Sequence, residues 1–206
     1  MTGATAACSS TRPGDESTPQ PSRQPAFTSP SARRVLLAYF SRPGENYYYG
    51  ERTNLKVGNT QVLAGMIRDR IDCDVHRIEA ADPYPQDYEQ TVARNSREQE
   101  RDARPAIVRL PESLEPYGTV LLASPIWNVR APMIMTTFTD TFDFRGKTVH
   151  PVTTYAMSGL GTTEDDYAAA CPGATLAEGL AVRGEEVRKA GDDLDAWLRR
   201  TALLRG

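Results

Sequence analysis

The regular hydrophobic pattern begins near residue 34. Val35-Leu36-Leu37-Ala38-Tyr39-Phe40 is an unbroken apolar run of strand length, the pattern of a strand buried on both faces. After Gly58-Asn59-Thr60 the period changes. Val62, Leu63, Met66, Ile67 and Ile71 recur at three- and four-residue spacing and predict an amphipathic helix. Asp74 to Glu79 predicts a shorter strand nearer a sheet edge, and the Gln-, Glu- and Arg-rich stretch from Pro85 to Arg104 a solvated helix. Tyr117 to Ser124 carries a second buried strand, Val120-Leu121-Leu122-Ala123. Pro132 then opens a helix with Met133, Ile134, Phe138 and Phe142. Lys147 to Tyr155 predicts a third strong strand, Thr163 to Ala170 a short helix, and Ala174 to Val182 a last strand. From Glu185 onward, Val187, Leu194, Trp197, Leu198 and Leu204 mark one face of a terminal helix. Five alternations of strand and helix call for a parallel sheet covered on both faces.

Residues 1–33 have no such period. They are rich in Ser, Thr, Pro, Gly, Gln and Arg, a composition that buries too little apolar surface to offset the entropy of ordering. They are expected to form a disordered tail or linker, with one domain over residues 34–206. Within the tail, Ala6-Ala7-Cys8-Ser9-Ser10 has the form of a lipoprotein cleavage site without the apolar stretch that should precede it. The default expectation is a cytoplasmic protein. The alternative is an extracytoplasmic lipoprotein tethered through Cys8, if translation starts upstream.

Charge and composition exclude more than they assign. A net charge of −3 leaves no basic footprint for nucleic acid. No apolar run reaches the roughly 18 residues of a membrane span. Cys8, Cys73 and Cys171 are too widely spaced for a zinc site or a disulfide scaffold, and His76 and His150, each inside a strand, are expected to be structural.

The chemistry should lie beyond the carboxyl ends of the strands, where an open parallel sheet binds its ligands. Three loops leave those ends. The first runs from Ser41 and closes on Gly58-Asn59-Thr60 at a helix start, where orphan N–H groups and the helix dipole favour a phosphate; simple capping by Asn59 or Thr60 is the alternative. It is neither a Walker loop nor a GxGxxG turn. The second, Ser124-Pro125-Ile126-Trp127-Asn128-Val129-Arg130-Ala131-Pro132, offers an indole face to a planar ring, or else an ordinary packed Trp. The third, Tyr155-Ala156-Met157-Ser158-Gly159-Leu160-Gly161-Thr162, lets backbone approach a ligand edge through Gly159 and Gly161, or is a plain glycine turn. Together the three fit a flat aromatic ligand carrying one phosphate.

The ordered combination of Ser41, Gly58-Asn59-Thr60, Pro125-Ile126-Trp127, Ala131-Pro132-Met133 and Ser158-Gly159-Leu160-Gly161 resembles the flavodoxin family, in particular its larger bacterial members, over about residues 34 to 200. The resemblance implies a flavodoxin-like α/β fold: a doubly wound five-stranded parallel sheet of order 2-1-3-4-5 with FMN at the switch point, the family's own example of that rule. It implies FMN phosphate at Ser41, Asn59 and Thr60, beside Gly58. It further implies isoalloxazine packed by Pro125, Ile126, Trp127 and Asn128, and the pyrimidine edge bonded around Met157, Ser158, Gly159 and Gly161. The implied function is electron transfer, with a redox partner protein or a small-molecule donor or acceptor. An NAD(P)H-dependent FMN or quinone reductase and a non-catalytic binding module are the alternatives. Two features depart from the family pattern. The insertion Arg42 to Val57, with its glycines and tyrosines, suits a hairpin-like flap near the ligand, and Arg130 places a cation near the ring.

Overall fold

The computed structural model describes residues 1–4 and 34–204. The chain divides into two units, residues 1–31 and 32–206, and every strand and helix described lies in the second. The tail expected to be disordered, Cys8 included, falls almost entirely outside the described residues.

Each apolar run becomes a strand of one parallel sheet. β1 (Arg34–Phe40) lies between β4 (Asp74–Ile78) and β5 (Tyr117–Pro125), and β5 pairs in turn with β6 (Thr148–Tyr155). Leu37, Leu121, Leu122 and Val152 are wholly buried, as strands covered on both faces require. On one face α1 (Asn59–Arg68) and α5 (Gly191–Arg200) close over Leu37, Leu121 and Val152 with Leu63, Ile67, Leu194 and Trp197. On the other, α3 (Met133–Thr141) and α4 (Thr163–Ala170) bring Ile134, Phe138 and Tyr167 onto Leu36, Val120 and Val149.

The segment Ala174 to Val182 corrects the expected single strand. It forms two short pieces, β7 (Thr175–Leu176) and β8 (Leu180–Arg183), both paired with β6. The cause lies in β6. Pro151 has no N–H to donate, and between the pairs Val149–Leu176 and Val152–Leu180 two residues of β6 face three of the neighbour. The extra residue bulges at Glu178, whose carbonyl accepts from His150 Nδ1 at 2.9 Å and from Trp197 Nε1 at 3.1 Å. Counting β7 and β8 as one position, and setting aside a separate hairpin, the spatial order is the expected 2-1-3-4-5. The terminal helix is also interrupted: a 3-10 turn, Gly184–Lys189, precedes α5.

The remaining elements frame one end of the sheet. The insertion after β1 is an antiparallel hairpin, β2 (Gly44–Tyr48) with β3 (Glu51–Leu55), as its glycines and tyrosines suggest. α2 (Tyr88–Glu100) starts at Asp87, whose carboxylate accepts from the Gln90 N–H at 2.8 Å. The expectation of a solvated helix holds for its composition only. Its buried residues are Thr91, Asn95 and Glu98, a polar inward face.

Candidate functional site

Beyond the carboxyl ends of β1, β5 and β6 lies a cleft with about 610 Å3 unfilled by protein, its open mouth included. Ser41, Asn59 and Thr60 form one end of it, and Pro125, Ile126 and Trp127 another wall, so six residues singled out from two distant loops meet in one place.

The Ser41 end is built around the start of α1. Gly58 occupies the N-cap position and offers no side chain. Ser41, arriving from β1, accepts instead from the Gln61 N–H at 3.0 Å and satisfies one of the helix's orphan donors. The approach is close: a Cβ on Gly58 would stand 2.4 Å from both Ser41 Oγ and Arg42 O, so only glycine lets the two strands of the loop meet. Thr60, nearly fully buried, shares a 2.7 Å hydrogen bond with Thr154 Oγ1 from the end of β6. A concave helix terminus with hydroxyls on both sides favours an anion.

Arg42 shapes the other side. Its side chain is buried, and Nη1 donates to Pro85 O at 2.9 Å and Gln86 O at 3.1 Å, while Nη2 donates to Glu45 O. Burial pulls the guanidinium below its ordinary value, opposed chiefly by Glu45. It remains a cation whose donors tie the hairpin base to the segment entering α2. Glu45 completes the clamp, its backbone N–H donating to Gln86 O at 2.8 Å and its carboxylate accepting from the Tyr88 N–H at 3.0 Å. At the hairpin tip, Tyr49 donates from its backbone to Glu185 at 3.3 Å and from its hydroxyl to Glu186 at 3.0 Å. The hairpin thus reaches from α2 to the 3-10 turn and places Asn46 and Tyr47 in the cleft wall.

Trp127 stands edge-on to Phe40 and Tyr84, with ring centroids 5.6 and 5.1 Å away. Its loop makes a two-residue turn in which Asn128 (φ 50°) and Val129 (φ 63°) both adopt the left-handed region, rare for a β-branched residue. Three contacts hold the turn. Gln99 donates to Trp127 O at 3.2 Å, Asn128 donates to Gln99 at 2.8 Å, and the Thr162 N–H donates to Val129 O at 2.8 Å. Strain sustained by so many fixed partners marks a conformation the surrounding structure imposes.

Other sequence-selected residues lie elsewhere. The cleft wall along the third loop ends at Tyr155 and Ala156 and does not include Met157, Ser158, Gly159 or Gly161. Met157 is exposed. Gly161 instead packs on the second loop, where a Cβ would come within 2.0 Å of Val129 O. Asn128 lines an adjoining pocket, and Gly58 shapes the cleft from beneath. Arg130 is paired with Asp166 at 2.9 Å and does not line the cleft, so its charge is largely compensated. Neither histidine lines the cleft. No group of three metal-binding side chains exists among the described residues, and none of the described helices is long and apolar enough to cross a membrane.

Asn46 and Tyr47 belong to the insertion expected to form a flap near the ligand, and Tyr155 to the third loop, whereas sequence reasoning gave no role to the Arg42 side chain or to Tyr88, Thr154, Gly184 and Glu185. Thr154 lies at the carboxyl end of a strand that was legible as such, so it could have been inferred. The pairing of the hairpin with Glu185 and Glu186, some 136 residues away, leaves no local signal.

Fold and cleft together define a doubly wound α/β protein with a ligand site at the switch point of its sheet. The sequence profile of the flavodoxin family matches residues 34–201, and the chain belongs to that family. A protein of Bacteroides eggerthii DSM 20697, provisionally called a flavoprotein, is 27% identical and superposes with a TM-score of 0.62, over 82% of this chain and 98% of its own. A similarly named protein of Bacteroides uniformis ATCC 8492 is 26% identical with a TM-score of 0.63, over 81% and 97%. A Lactobacillus acidophilus NCFM flavoprotein in complex with FMN shares the fold at 18% identity and a TM-score of 0.56, over 77% and 98%. No curated protein matches the chain.

Proposed function

We propose that the protein binds FMN non-covalently in this cleft and passes electrons through it. The observation that carries the proposal is the convergence of a phosphate-suited helix start and aromatic walls in one cleft. Family membership and the FMN carried by the Lactobacillus relative support it.

The residues fit the cofactor at both ends. The phosphate would meet the backbone N–H groups at Asn59 and Thr60 and the hydroxyls of Ser41 and Thr60. Gly58 leaves the room. Glu185 also lines the cleft, and its buried Oε2 has no protein partner, an acceptor suited to hydroxyl donors such as those of a ribityl chain. Ile126, Trp127 and Tyr155 supply apolar and aromatic surface for the ring. The flavin, when bound, supplies the one- and two-electron chemistry, and the protein sets its environment. Trp127 and Tyr47 exclude water from the ring, and the Arg42 clamp keeps the hairpin in place over the cleft.

Anaerobic titration of the purified protein with dithionite should bleach a flavin spectrum, and an added one-electron acceptor such as ferric cytochrome c should restore it. A bound flavin that cannot be reduced and reoxidised in this way would refute electron transfer as the function.

A further inference from the structure

Trp127 lines the flavin cleft, and the ring of Tyr84 meets it edge-on with centroids 5.1 Å apart. Tyr84 in turn lines a second cavity that Trp127 does not reach, with about 820 Å3 unfilled by protein, its mouth included. Phe40 touches both rings, with its centroid 5.6 Å from Trp127 and 5.3 Å from Tyr84. Among the described tyrosines, Tyr84 alone is in ring contact with an indole, since the ring neighbour of Trp197 is His150. Two π systems in direct contact exchange an electron far faster than a pair separated by solvent, because tunnelling falls steeply with distance.

The surroundings of Tyr84 are specific. The residue is 6% exposed, and its hydroxyl donates to Glu98 Oε2 at 2.7 Å. Glu98 sits on the buried face of α2, and its Oε1 accepts from Arg94 Nε at 2.7 Å. Burying a carboxylate is costly unless it is paired and hydrogen-bonded, and here a guanidinium and a phenol do both. The Arg94 guanidinium also stands 4.0 Å from the centroid of the Tyr84 ring. A cation over the face favours the neutral phenol and opposes positive charge on it. Loss of an electron from Tyr84 must therefore be accompanied by loss of the phenol proton, and the carboxylate at 2.7 Å is placed to receive it. Burial, with Glu98 second, holds the phenol well above its ordinary pKa, so it keeps that proton until it is oxidised.

We propose that Trp127 and Tyr84 form a one-electron relay leading out of the flavin cleft, with Glu98 as its proton acceptor. The relay drains the oxidising equivalent left when a one-electron oxidant in the cleft, an inorganic radical or a light-excited flavin, takes an electron from Trp127. Only the flavin as oxidant rests on the FMN reading above. Tyr84 gives one electron to the Trp127 radical cation, which returns to neutral indole. Its phenol proton passes to Glu98 Oε2, so the products are a neutral tyrosyl radical and a protonated carboxyl. At the second cavity a small reductant such as ascorbate returns one electron to the tyrosyl oxygen, and Glu98 returns the proton.

Pulse radiolysis of the full-length protein with the azidyl radical, which oxidises indole in preference to phenol at neutral pH, tests the relay. The tryptophanyl absorption should decay and the tyrosyl absorption grow with one rate constant, independent of protein concentration. Trp197→Phe should leave this step in place, whereas Trp127→Phe and Tyr84→Phe should each abolish it. Glu98→Gln keeps the shape but is a poor base, and should slow the step by roughly a hundredfold, the lower end of what a positioned proton acceptor contributes. Glu98→Asp withdraws the carboxylate from the phenol; it should slow the step less and serves if Glu98→Gln does not fold. No tyrosyl growth, growth that persists without Tyr84 or depends on protein concentration, or its loss with Trp197 would overturn the relay. Unchanged rates in both Glu98 variants would overturn the proton acceptor. The same coupled step in a protein that binds no FMN would refute the FMN reading and leave the relay standing.

Discussion

The hydroxyl pair Thr60–Thr154 offers a quantitative test of how the phosphate is held. The two oxygens are 2.7 Å apart and both side chains are nearly fully buried. If Thr154 donates to Thr60, the Thr60 proton is free for the phosphate. Thr60→Val then removes two things. It leaves the Thr154 hydroxyl buried without a partner, at a cost of about 1–3 kcal/mol in stability. It also removes a hydrogen bond to a charged group, worth about 1.5–3 kcal/mol, or roughly ten- to a hundredfold in FMN affinity. Riboflavin lacks the phosphate, so its affinity should change little. Thr154→Val should cost similar stability but less FMN affinity, because the Thr60 donor survives with its orientation loosened. The double variant replaces both partners with groups of the same shape and should recover much of the lost stability. It should not recover the lost FMN affinity. Urea unfolding without flavin and quenching of flavin fluorescence, for FMN and for riboflavin, measure the two effects separately. Equal losses of FMN and riboflavin affinity in Thr60→Val would refute the reasoning, since Thr60 would then be a packing residue alone.

Trp127→Ala should weaken FMN by about 1–3 kcal/mol and move the flavin potential, whereas Trp197→Ala, in the core under α5, should lower the melting temperature without the redox change; the reverse pattern places the ring elsewhere. His150 is held below its ordinary 6.5 by burial, so the unfolded chain takes up its proton first as pH falls. Stability should therefore decline as pH falls below about 6.5 toward the lower folded value, and His150→Asn should flatten that decline between pH 7 and 5. An unchanged slope in calorimetry would reject the assignment. Gly161→Ala, at φ +56° with a Cβ 2.0 Å from Val129 O, should destabilise the protein by about 1–3 kcal/mol; an unchanged melting temperature would show that the two loops are not locked together. Deleting residues 1–33 should leave melting temperature and flavin affinity nearly unchanged, and a large drop in either would show that the tail docks.

The sheet was legible because its signal is local. Unbroken apolar runs at Val35 and Val120 and a three- to four-residue period after Gly58 each report burial within a few residues. The break between β7 and β8 was not, because its cause, Pro151, lies on the neighbouring strand. Composition misled at α2: its Gln, Glu and Arg content reads as solvated, yet Asn95 and Glu98 turn inward because polar partners and a pocket await them. The hydroxyl and aromatic residues at strand ends, Ser41 and Trp127, announced the cleft through the general rule for parallel sheets. Arg42 did not. Its role depends on carbonyls of Pro85 and Gln86, more than 40 residues on, which no local pattern encodes.

The central claim, that one FMN sits at the start of α1, is tested most directly by the flavin the native protein carries. Protein purified under mild conditions should show a flavin absorbance spectrum, and acid release followed by chromatography should yield FMN as its flavin, at one per chain. FAD as the sole flavin, or no flavin bound even after incubation with excess FMN, would contradict the account.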